Sequence, residues 1–497
     1  MSVERNLPLI RERKQAILKG EADRAAEQKK LQKLTARERI ALLFDEASFV
    51  ELDALSGKGG ESGVVTGYGL IDGRPVYVWA QDYVSSGGAV GKEHARKVVK
   101  VMELAKKTGS PVISLYDSMG ARLMEGVDAV DAYAQIAAAT AQLSGVVPQI
   151  ALVMGQCAAS AALIAAMSDV VICSDAARLY VNGPQVVSAN TGENVDAEKL
   201  GGAAACQASG IAHLAGKTDD EAIALARKVA GLLPDNNLEA SPVDLAGSDD
   251  FNRLAPELNE LTESPDALKV VEAIADLGSV VELSAAHAPS MVTALAKLGG
   301  RTVGILATQP TQDGGALTAC GMKKAARFAR FCDSFNLPIL TLVDSVGFSV
   351  AGSSGQAGLA KAGAALLGAL SESAGARIAL VTGKAIAAAY MALAARTQAD
   401  VIYAWPGSVI APLDVPAAVQ VLMNGKLKGQ PDAEAKRAEL EQEYADNIAD
   451  GLNAARRGYV DDVIEPAESR MMLVAALEVL SGKRDTRLPK KHANLPL

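Results

Sequence analysis

The order of apolar and polar positions along the chain predicts alternating strands and helices. Residues 64–69 and 76–80 are strand-like and flank the turn Asp72-Gly73, which favours a β-hairpin. Residues 92–107 carry apolar side chains at helical spacing and are predicted to form a helix. The elements predicted after it are a buried strand at 112–116, a helix at 128–143, a strand at 150–154 and a helix from about residue 158. This succession is typical of an α/β fold.

The same pattern occurs a second time. The segment from Val64 to Gly120 aligns without a gap with the segment from Met291 to Gly347. The identical pairs include Gly73/Gly300, Arg74/Arg301, Gly87/Gly314, Gly88/Gly315, Lys97/Lys324, Asp117/Asp344 and Gly120/Gly347. In the second half, helices are predicted at 322–333 and from 385, and strands at 339–343, 378–382 and 401–403. A repeat of this length is a duplicated domain and not a solenoid unit.

The duplication predicts two domains, residues 1–240 and 241–497. The first 45 residues are rich in Arg, Lys, Glu and Ala and are predicted to be helical, with a solvated charged face or, alternatively, a docking surface. Residues 232–265 are rich in Pro, Asn, Asp and Ser, which predicts a linker or an irregular connection. Two related domains can bind two different reactants, so the duplication favours a group-transfer enzyme.

Composition and charge narrow the classes of function. With 49% hydrophobic and 22% charged residues, the chain is expected to fold into ordinary cores. A net charge of -9 argues against a nucleic-acid partner but leaves room for a small phosphorylated ligand. The five cysteines form no CxxC pair and the four histidines show no metal-ligand spacing, so we expect reduced thiols, a cytoplasmic location and no metal. The charged start and the short apolar runs predict neither a signal peptide nor a membrane span.

Two helix starts are candidates for carbonyl chemistry. The runs from Met154 to Ala161 and from Thr382 to Tyr390 each join a strand to a helix through small residues. A helix N-terminus presents backbone N–H groups without helical partners, and small side chains let a ligand oxygen approach them. Such a group of donors can form an oxyanion hole. Alanine-rich helix starts also serve packing alone, but recurrence at equivalent positions favours a functional role.

A second pair of turns follows two buried strands, from Tyr116 to Arg122 and from Val343 to Phe348. Ligands of open α/β folds bind beyond the carboxyl ends of such strands. Asp117 and Asp344 are expected to cap helices or hold loops. Two interpretations of Arg122 stay open, an ion pair with Glu125 or contact with a ligand phosphate. For His94, at a predicted helix start, a structural hydrogen bond is favoured over catalysis.

These residues carry a family resemblance over nearly the whole chain. The matching segments are Lys33 to Arg39, Gly63 to Gly69, Gly87-Gly88, Gly91, His94, Lys97, Gly120 to Arg122, Glu125-Gly126, Ser144 to Ile150, Leu200 to Ala203, Lys324 to Phe328, Lys384-Ala385 and Tyr403 to Pro406. The chain resembles the carboxyltransferase component of biotin-dependent acyl-CoA carboxylases and of the related sodium-pumping decarboxylases.

The resemblance implies a fold, an assembly and a reaction. Each half would be a crotonase-like (ClpP/crotonase) spiral of ββα units. The active site would lie where the first half of one subunit meets the second half of another, in a homo-oligomer built on dimers, often a hexamer. The coenzyme A thioester would bind mainly to the first half and biotin mainly to the second. One oxyanion hole would stabilise the thioester enolate while the other polarises the ureido oxygen of carboxybiotin.

The resemblance also assigns residues and partners. The implied backbone donors are Ala159, Ser160, Ala388 and Ala389. The implied substrate-binding residues are Gly87, Gly88, Met119, Gly120, Arg122, Gly155, Gly347, Phe348 and Gly383. The chain has neither a biotin-accepting Met-Lys-Met nor an ATP-grasp-like site. A separate biotin carboxyl carrier protein is therefore implied, together with a biotin carboxylase or a membrane decarboxylase subunit to which the chain would be peripheral.

The chain departs from the family at these turns. The family usually has Gly-Gly at Ala159-Ser160 and Gly at Met119, Ala387 and Ala388, and the turn at Asp344 lacks the family's Pro. If the backbone there needs a positive φ, alanine damages the site. The alternative function is therefore a non-catalytic paralogue that acts as a scaffold in the same complex. A biotin-independent hydratase or hydrolase, with Glu125 as the one nearby acid, is a third.

Overall fold

The chain forms two compact units, Met1–Glu239 and Ala240–Leu497. The computed structural model describes residues 3–56, 62–247, 249–261, 264–350, 353–427, 432–485, 489–491 and 494. The boundary between the units falls inside the segment predicted to be a linker or irregular connection. Throughout the described ranges, each helix is either too short or too polar to cross a lipid bilayer.

The first unit is a mixed sheet with helices around it. Its strands are β1 (Val50–Leu52), β2 (Val64–Ile71), β3 (Arg74–Gln81), β4 (Val112–Tyr116), β5 (Gln149–Val153), β6 (Gln156–Ala158), β7 (Val170–Ser174), β8 (Arg178–Tyr180) and β9 (Leu214–Gly216). Its helices are α1 (Val3–Lys19), α2 (Ala22–Lys30), α3 (Ala36–Leu43), α4 (Lys92–Thr108), α5 (Val127–Leu143), α6 (Ser160–Ala166), α7 (Pro184–Thr191), α8 (Ala197–Gly201), α9 (Ala203–Ser209) and α10 (Asp219–Leu232).

The strand order of this sheet is β1-β2-β3-β4-β5-β7-β9, while β6 and β8 pair separately. In this path the first three strands are antiparallel, and the remaining four, β4, β5, β7 and β9, continue from β3 in parallel. The separate β6-β8 ladder is also parallel. The predicted hairpin is confirmed, because Ile71 faces Arg74 across a two-residue turn. Asp72 and Gly73 both take a positive φ there, which matches the twist of the strands and explains the Asp-Gly sequence.

The second unit repeats this plan. Its strands are β10 (Val281–Leu283), β11 (Met291–Leu298), β12 (Arg301–Thr308), β13 (Ile339–Ser345), β14 (Arg377–Ile386), β15 (Val401–Ala404), β16 (Val409–Ala411) and β17 (Asp462–Val463). Its helices are α11 (Ala267–Ile274), α12 (Ala319–Ser334), α13 (Ser353–Glu372), α14 (Val415–Leu422), α15 (Asn424–Leu427), α16 (Ala433–Tyr444), α17 (Gly451–Arg456) and α18 (Ser469–Leu480). The main path is β10-β11-β12-β13-β14-β15-β17, and β16 pairs with β14.

The identical Lys97/Lys324 pair of the two units has a structural role. The Lys97 Nζ donates to the carbonyl of Val64 at 2.8 Å, and the Lys324 Nζ donates to the carbonyls of Ser284 and His287 at 2.8 and 2.9 Å. Burial lowers the pKa of Lys97, and it lowers the pKa of Lys324 to about 8. These lysines therefore tie α4 to β2 and α12 to the loop between β10 and β11.

His94 is part of the core of the first unit. Its side chain is 1% exposed, and Nδ1 lies 3.2 Å from the carbonyl oxygen of Ser62. Because a carbonyl oxygen only accepts, the proton of the neutral ring is on Nδ1. Nε2 has no hydrogen-bond partner within the described residues. Burial lowers the pKa of His94 to about 3, so the ring is neutral at physiological pH, in line with the structural role favoured from the sequence.

His94→Asn should remove a pH dependence of stability. The folded pKa lies below the unfolded value, so His94 costs no stability above pH 6.5 and progressively more as the pH falls towards 3. At pH 5 this loss is about 2 kcal/mol of the free energy of unfolding. Denaturant titrations of both chains at pH 8 and pH 5 measure it. The difference between the two chains should be smaller at pH 5 by that amount, and an equal difference at both values contradicts a buried neutral ring.

Candidate functional site

Both candidate helices begin later than the sequence predicts. In the first unit, β6 pairs in parallel with β8, so the helix predicted from about 158 begins at Ser160. In the second unit, β14 continues to Ile386 and pairs with β16, and the helix predicted from 385 starts beyond Ala387. The reason is common to both units. A short parallel strand, β8 in the first unit and β16 in the second, forms backbone hydrogen bonds with three residues before the helix starts.

A strained alanine connects strand to helix in each unit. Ala159 has φ 54° and ψ -123°, and Ala387 has φ 47°. At the start of α5 nearly the same conformation is adopted by Gly126, with φ 56° and ψ -125°. This region of backbone space is close to glycine-only and costs a residue with a Cβ about 1–3 kcal/mol. The condition under which alanine harms these turns, a positive φ, is therefore met.

The N–H groups of the two strained alanines are occupied. Ala159 donates to the carbonyl of Tyr180 at 3.0 Å, and Ala387 donates to the carbonyl of Ala411 at 2.9 Å. The N–H of Ala159, an oxyanion donor by resemblance, is therefore occupied by β8, and its donor role stays a prediction. In the part of the chain that is described, no partner accepts from the N–H of Ser160, Ala388 or Ala389. Those three residues stay candidates for the donor role.

Ser160 and Ala388 are the equivalent donors of the two units, because each directly follows the alanine with a positive φ, Ala159 or Ala387. Their environments differ: Ser160 is exposed, whereas Ala388 is 6% and Ala389 0% exposed.

Hydrogen bonds bring the second turn of each unit to the same sheet edge. In the first unit, the Ser118 N–H donates to the Gln156 carbonyl at 2.9 Å and the Met119 N–H to the Gly87 carbonyl at 2.9 Å. The Gly120 N–H donates to the Ser118 Oγ at 3.0 Å. The structure thus groups the predicted residues Gly87, Gly88, Met119, Gly120, Gly155 and Ser160 beyond the ends of β4 and β5.

The second unit has the equivalent arrangement. The Val346 N–H donates to the Gly314 carbonyl at 3.1 Å, and the Gly347 N–H donates to the Ser345 Oγ at 3.2 Å. Ser345 pairs with Ala385 across β13 and β14. Gly347 and Gly383 therefore lie at the same edge as Ala388, and Phe348 beside Gly347 is 44% exposed.

Three of the predicted glycines are required by packing. A Cβ on Gly155 would lie 1.9 Å from Asp117 Oδ1, and one on Gly383 would lie 2.4 Å from Asp344 Cγ. A Cβ on Gly88 would lie 2.6 Å from the carbonyl oxygen of Asp117. No side chain fits at these distances, so the glycines let each turn close over its aspartate. Ligand contact by them stays a prediction.

Asp117 is held by residues that the sequence analysis did not connect to it. It accepts from Lys33 Nζ at 2.7 Å, Arg39 Nη1 at 2.9 Å and Gln28 Nε2 at 3.0 Å. Arg39, 1% exposed, also donates to Asp219 at 2.8 Å and to the Met154 carbonyl at 3.0 Å. The segment from Lys33 to Arg39 contributes to the family resemblance, which was the available signal.

Asp344 occupies the equivalent position in a different environment. Its Oδ1 accepts from the Lys384 N–H at 2.8 Å, and its Oδ2 has no hydrogen-bond partner among the described residues. The residue is 4% exposed. Burial raises the pKa of Asp344, although the Lys384 N–H acts in the opposite direction. The duplicated aspartates therefore share a backbone position but not a charge environment.

The structure places Arg122 near Glu125, while contact of Arg122 with a ligand phosphate stays a prediction. Its Nε donates to the Ala89 carbonyl at 3.1 Å, and its Nη1 lies 3.9 Å from Glu125 Oε1. Glu125 in turn accepts from the Lys92 N–H at 2.7 Å, at the start of α4. Pairing with Glu125 is therefore the observed arrangement. Since Glu125 is engaged in capping, it is a poor candidate for the catalytic acid of a hydratase.

A cavity of about 630 Å³ opens beside the first turn. Its lining includes Tyr83, Gly155, Gln156, the cationic residues Lys33, Arg178 and Lys217, and the acidic residues Glu27, Asp117, Asp175 and Asp219. The Lys33 Nζ lies 5.5 Å from the centre of the Tyr83 ring. Lys33 and Arg178 are already paired, with Asp117 and Glu198, so phosphate binding in this cavity stays a prediction.

Comparisons with known proteins match the whole chain. A family model described as carboxyl transferase domain matches residues 27–495. The methylmalonyl-CoA decarboxylase subunit alpha of Veillonella parvula is 39% identical, over 100% of both chains. The propionyl-CoA carboxylase carboxyltransferase subunit of Haloferax mediterranei is also 39% identical, over 100% of both.

Solved structures agree with this match. The crystal structure of transcarboxylase 12S, a hexamer with methylmalonyl-coenzyme A and methylmalonic acid bound, superposes with a TM-score of 0.95 at 38% identity. It covers 100% of this chain and 99% of that one. A single-chain, multi-domain long-chain acyl-CoA carboxylase superposes with a TM-score of 0.83 at 25% identity, over 96% of this chain and 49% of that one.

Ala159→Gly should stabilise the protein. Glycine adopts the positive φ of this turn without strain, so the free energy of unfolding should rise by about 1 kcal/mol after the entropic cost of glycine is subtracted. Ala162→Gly, within α6, is the matched control and should lower it by about 1 kcal/mol. Urea denaturation measures both. If Ala159→Gly destabilises as much as the control, the strain at this turn is not real.

Asp117→Asn and Asp344→Asn should have unequal effects on stability. Asp117→Asn leaves Arg39 and Lys33 without their buried anion and should cost about 3–5 kcal/mol. Asp344→Asn keeps an acceptor for the Lys384 N–H and removes no ion pair, so it should cost about 1 kcal/mol or less. The free energies of unfolding at neutral pH measure this difference. Equal losses would contradict the asymmetry of the two units.

Proposed function

Because the chain belongs to the carboxyl transferase domain family, we propose that it moves a carboxyl group between biotin, attached to a separate carrier protein, and an acyl-CoA thioester. The observation that carries this proposal is the pair of matching helix starts, each with an N–H group at Ser160 or Ala388 that has no partner among the described residues. Two oxygen atoms, one on each reactant, need such donors during carboxyl transfer.

The first unit is proposed to bind the acyl-CoA. When the α-carbon of the thioester loses a proton or a carboxyl group, negative charge develops on the carbonyl oxygen. The Ser160 N–H, at the positive end of the α6 dipole, stabilises that charge. The transcarboxylase 12S structure contains methylmalonyl-coenzyme A, and its close superposition supports this class of substrate. Lys217, in the lining of the cavity beside the first turn, supplies a cation for the phosphates of coenzyme A.

The second unit is proposed to bind biotin. The ureido oxygen of biotin accepts hydrogen bonds, and the N–H groups of Ala388 and Ala389 fit that requirement. When bound, biotin supplies the carboxyl group, or receives it, at its ureido nitrogen. Alanine and glycine around Ala387 keep side chains short, so the backbone itself orients the ring.

The chain is proposed to act as a homo-oligomer in which the first unit of one copy faces the second unit of another. Large apolar side chains are exposed on both units: Leu123, Met124, Val127, Val130 and Leu163 on the first, and Val350, Val421 and Leu422 on the second. Such surfaces mark interfaces between proteins. The hexameric assembly of transcarboxylase 12S supports an oligomer of this kind.

The partners follow from the reaction. A biotin carboxyl carrier protein must bring biotin to the site, and either a biotin carboxylase or a membrane decarboxylase subunit must charge or discharge it. The relatives include both carboxylases and decarboxylases. A cytoplasmic location, peripheral to a membrane complex in the decarboxylase case, is consistent with such partners.

The alternative, a non-catalytic scaffold, rests on the alanines at Ala159 and Ala387. Ala159, however, takes the φ and ψ that glycine takes at Gly126, and Ala387 also has a positive φ. A chain without catalysis to support has no reason to keep an alanine at positive φ in the turns of both units. The geometry therefore favours an enzyme.

Ser160→Asp should abolish carboxyl transfer while the protein stays folded. The added carboxylate lies at the first residue of α6, where negative charge favours the helix but repels the developing oxyanion. We expect kcat for decarboxylation of malonyl-, methylmalonyl- or glutaconyl-CoA with free biotin to fall at least 10²-fold, about the loss of one oxyanion donor. Ser160→Asn, of the same size without the charge, is the matched control and should retain much more activity.

Mixing variants tests the arrangement of copies. Oligomers reassembled from Ser160→Asp and Ala388→Asp chains should regain activity that neither variant has alone, because some sites then combine two intact units. Wild-type activity in Ser160→Asp would reject the donor role of this position. Wild-type oligomers that decarboxylate none of the three thioesters would favour the scaffold.

A further inference from the structure

We propose that Met119, held in place by Arg24, is a wall of the acyl pocket that selects short acyl groups. This inference rests on the proposed function and deepens it, because it names the substrate class at the first unit. Met119 directly follows the Asp117-Ser118 turn and is 58% exposed. The turn is joined to that helix start by the hydrogen bond from the Ser118 N–H to the Gln156 carbonyl.

The side chain of Met119 is positioned at both ends. Its N–H donates to the Gly87 carbonyl at 2.9 Å, and its Sδ accepts from Arg24 Nη1 at 3.0 Å. A Cβ on Gly87 would lie 2.6 Å from this Sδ and 2.4 Å from Arg24 Nη1. Because Gly87 has no side chain, the thioether of Met119 can lie directly over the loop. An exposed methionine is ordinarily free to change rotamer, but this one is anchored.

Arg24 is itself fixed by α2. Its Nε donates to Glu21 Oε2 at 2.7 Å, and its guanidinium carbon lies 5.8 Å from the centre of the Tyr83 ring. Glu21 also accepts from the Ser86 N–H at 2.9 Å, in the loop that contains Gly87. The ion pair, the ring and the loop therefore hold the arginine where it meets the sulfur. Arg24 is a positioning residue, since it acts through Met119.

The second unit shows what the position looks like without this device. Val346 is the equivalent residue, and its N–H donates to the Gly314 carbonyl in the same way. A Cβ on Gly314 would lie 3.1 Å from Val346 Cγ1, so the valine side chain packs against the loop through van der Waals contact. Valine is shorter than methionine and has no sulfur for a cation to hold. The long, anchored side chain is thus specific to the unit proposed to bind the thioester.

A fixed side chain at this edge excludes volume from the space next to the thioester carbon. An acetyl or malonyl group has no substituent beyond the α-carbon other than the transferred carboxyl, whereas propionyl and methylmalonyl groups carry an extra methyl. Because Met119 is already ordered, moving it aside costs binding energy. We therefore assign acetyl- and malonyl-CoA as the preferred substrate pair.

The test is binding of non-hydrolysable thioether analogues of acetyl-CoA and propionyl-CoA to the full-length oligomer, measured by calorimetry. Met119→Gly should raise the affinity ratio of propionyl to acetyl analogue by about 10-fold or more, the usual value of one methylene group in a pocket. Met119→Val, which copies the second unit, should give a smaller rise. Val346→Gly is the matched control and should leave the ratio unchanged.

Arg24→Gln supplies a readout that a merely structural role would not move. It should raise the ratio in the wild-type background and have no further effect in Met119→Gly, because its influence passes through the sulfur. Binding with the same ratio in wild type and Met119→Gly would overturn the role of Met119 alone. Failure of every variant to bind either analogue would overturn acyl-CoA as the ligand, and with it the proposed function.

Discussion

The candidate turns of the first unit depend on one buried ion cluster, in which Arg39 lies between Asp117 and Asp219. Burying these charges is costly unless each finds a partner, and here Lys33, Gln28 and the Met154 carbonyl complete the set. Because Gly155 and Gly88 close directly over Asp117, the cluster determines where the Gly-Gly loop and the helix start lie relative to each other. The N-terminal helices are therefore part of the site and not an appendage to it.

Duplication preserved the backbone of this arrangement in the second unit but not its charges. Asp344 has the same glycine above it and the same position after its strand, yet its Oδ1 accepts from the Lys384 N–H and, within the described residues, its Oδ2 has no hydrogen-bond partner. Burial then raises the pKa of its carboxyl. Two units of common ancestry thus present the same turn in different electrostatic settings, which suits an enzyme whose two reactants differ in charge and size.

Strain distinguishes the two helix starts from ordinary ones. Ala159 and Ala387 both have a positive φ, and the N–H of each donates to a carbonyl of a neighbouring strand. The next residue in each unit, Ser160 or Ala388, is the first residue of a helix, and its N–H has no hydrogen-bond partner among the described residues. By accepting a hydrogen bond from the preceding alanine, β8 or β16 therefore positions the donor.

The α/β class, the duplication, the Asp72-Gly73 hairpin and the family could be predicted from the sequence, because these follow from local periodicity, turn chemistry and identical residues at a constant spacing. The sequence also located the turns that carry the candidate donors. The N–H that is occupied at each turn, and the pairing of Asp117 but not of Asp344 with buried cations, depend on how the chain packs. Tyr180, Ala411 and Arg39 lie far along the chain from the groups they satisfy, and hydrogen-bond and ion pairing across such separations depends on how the strands and helices pack.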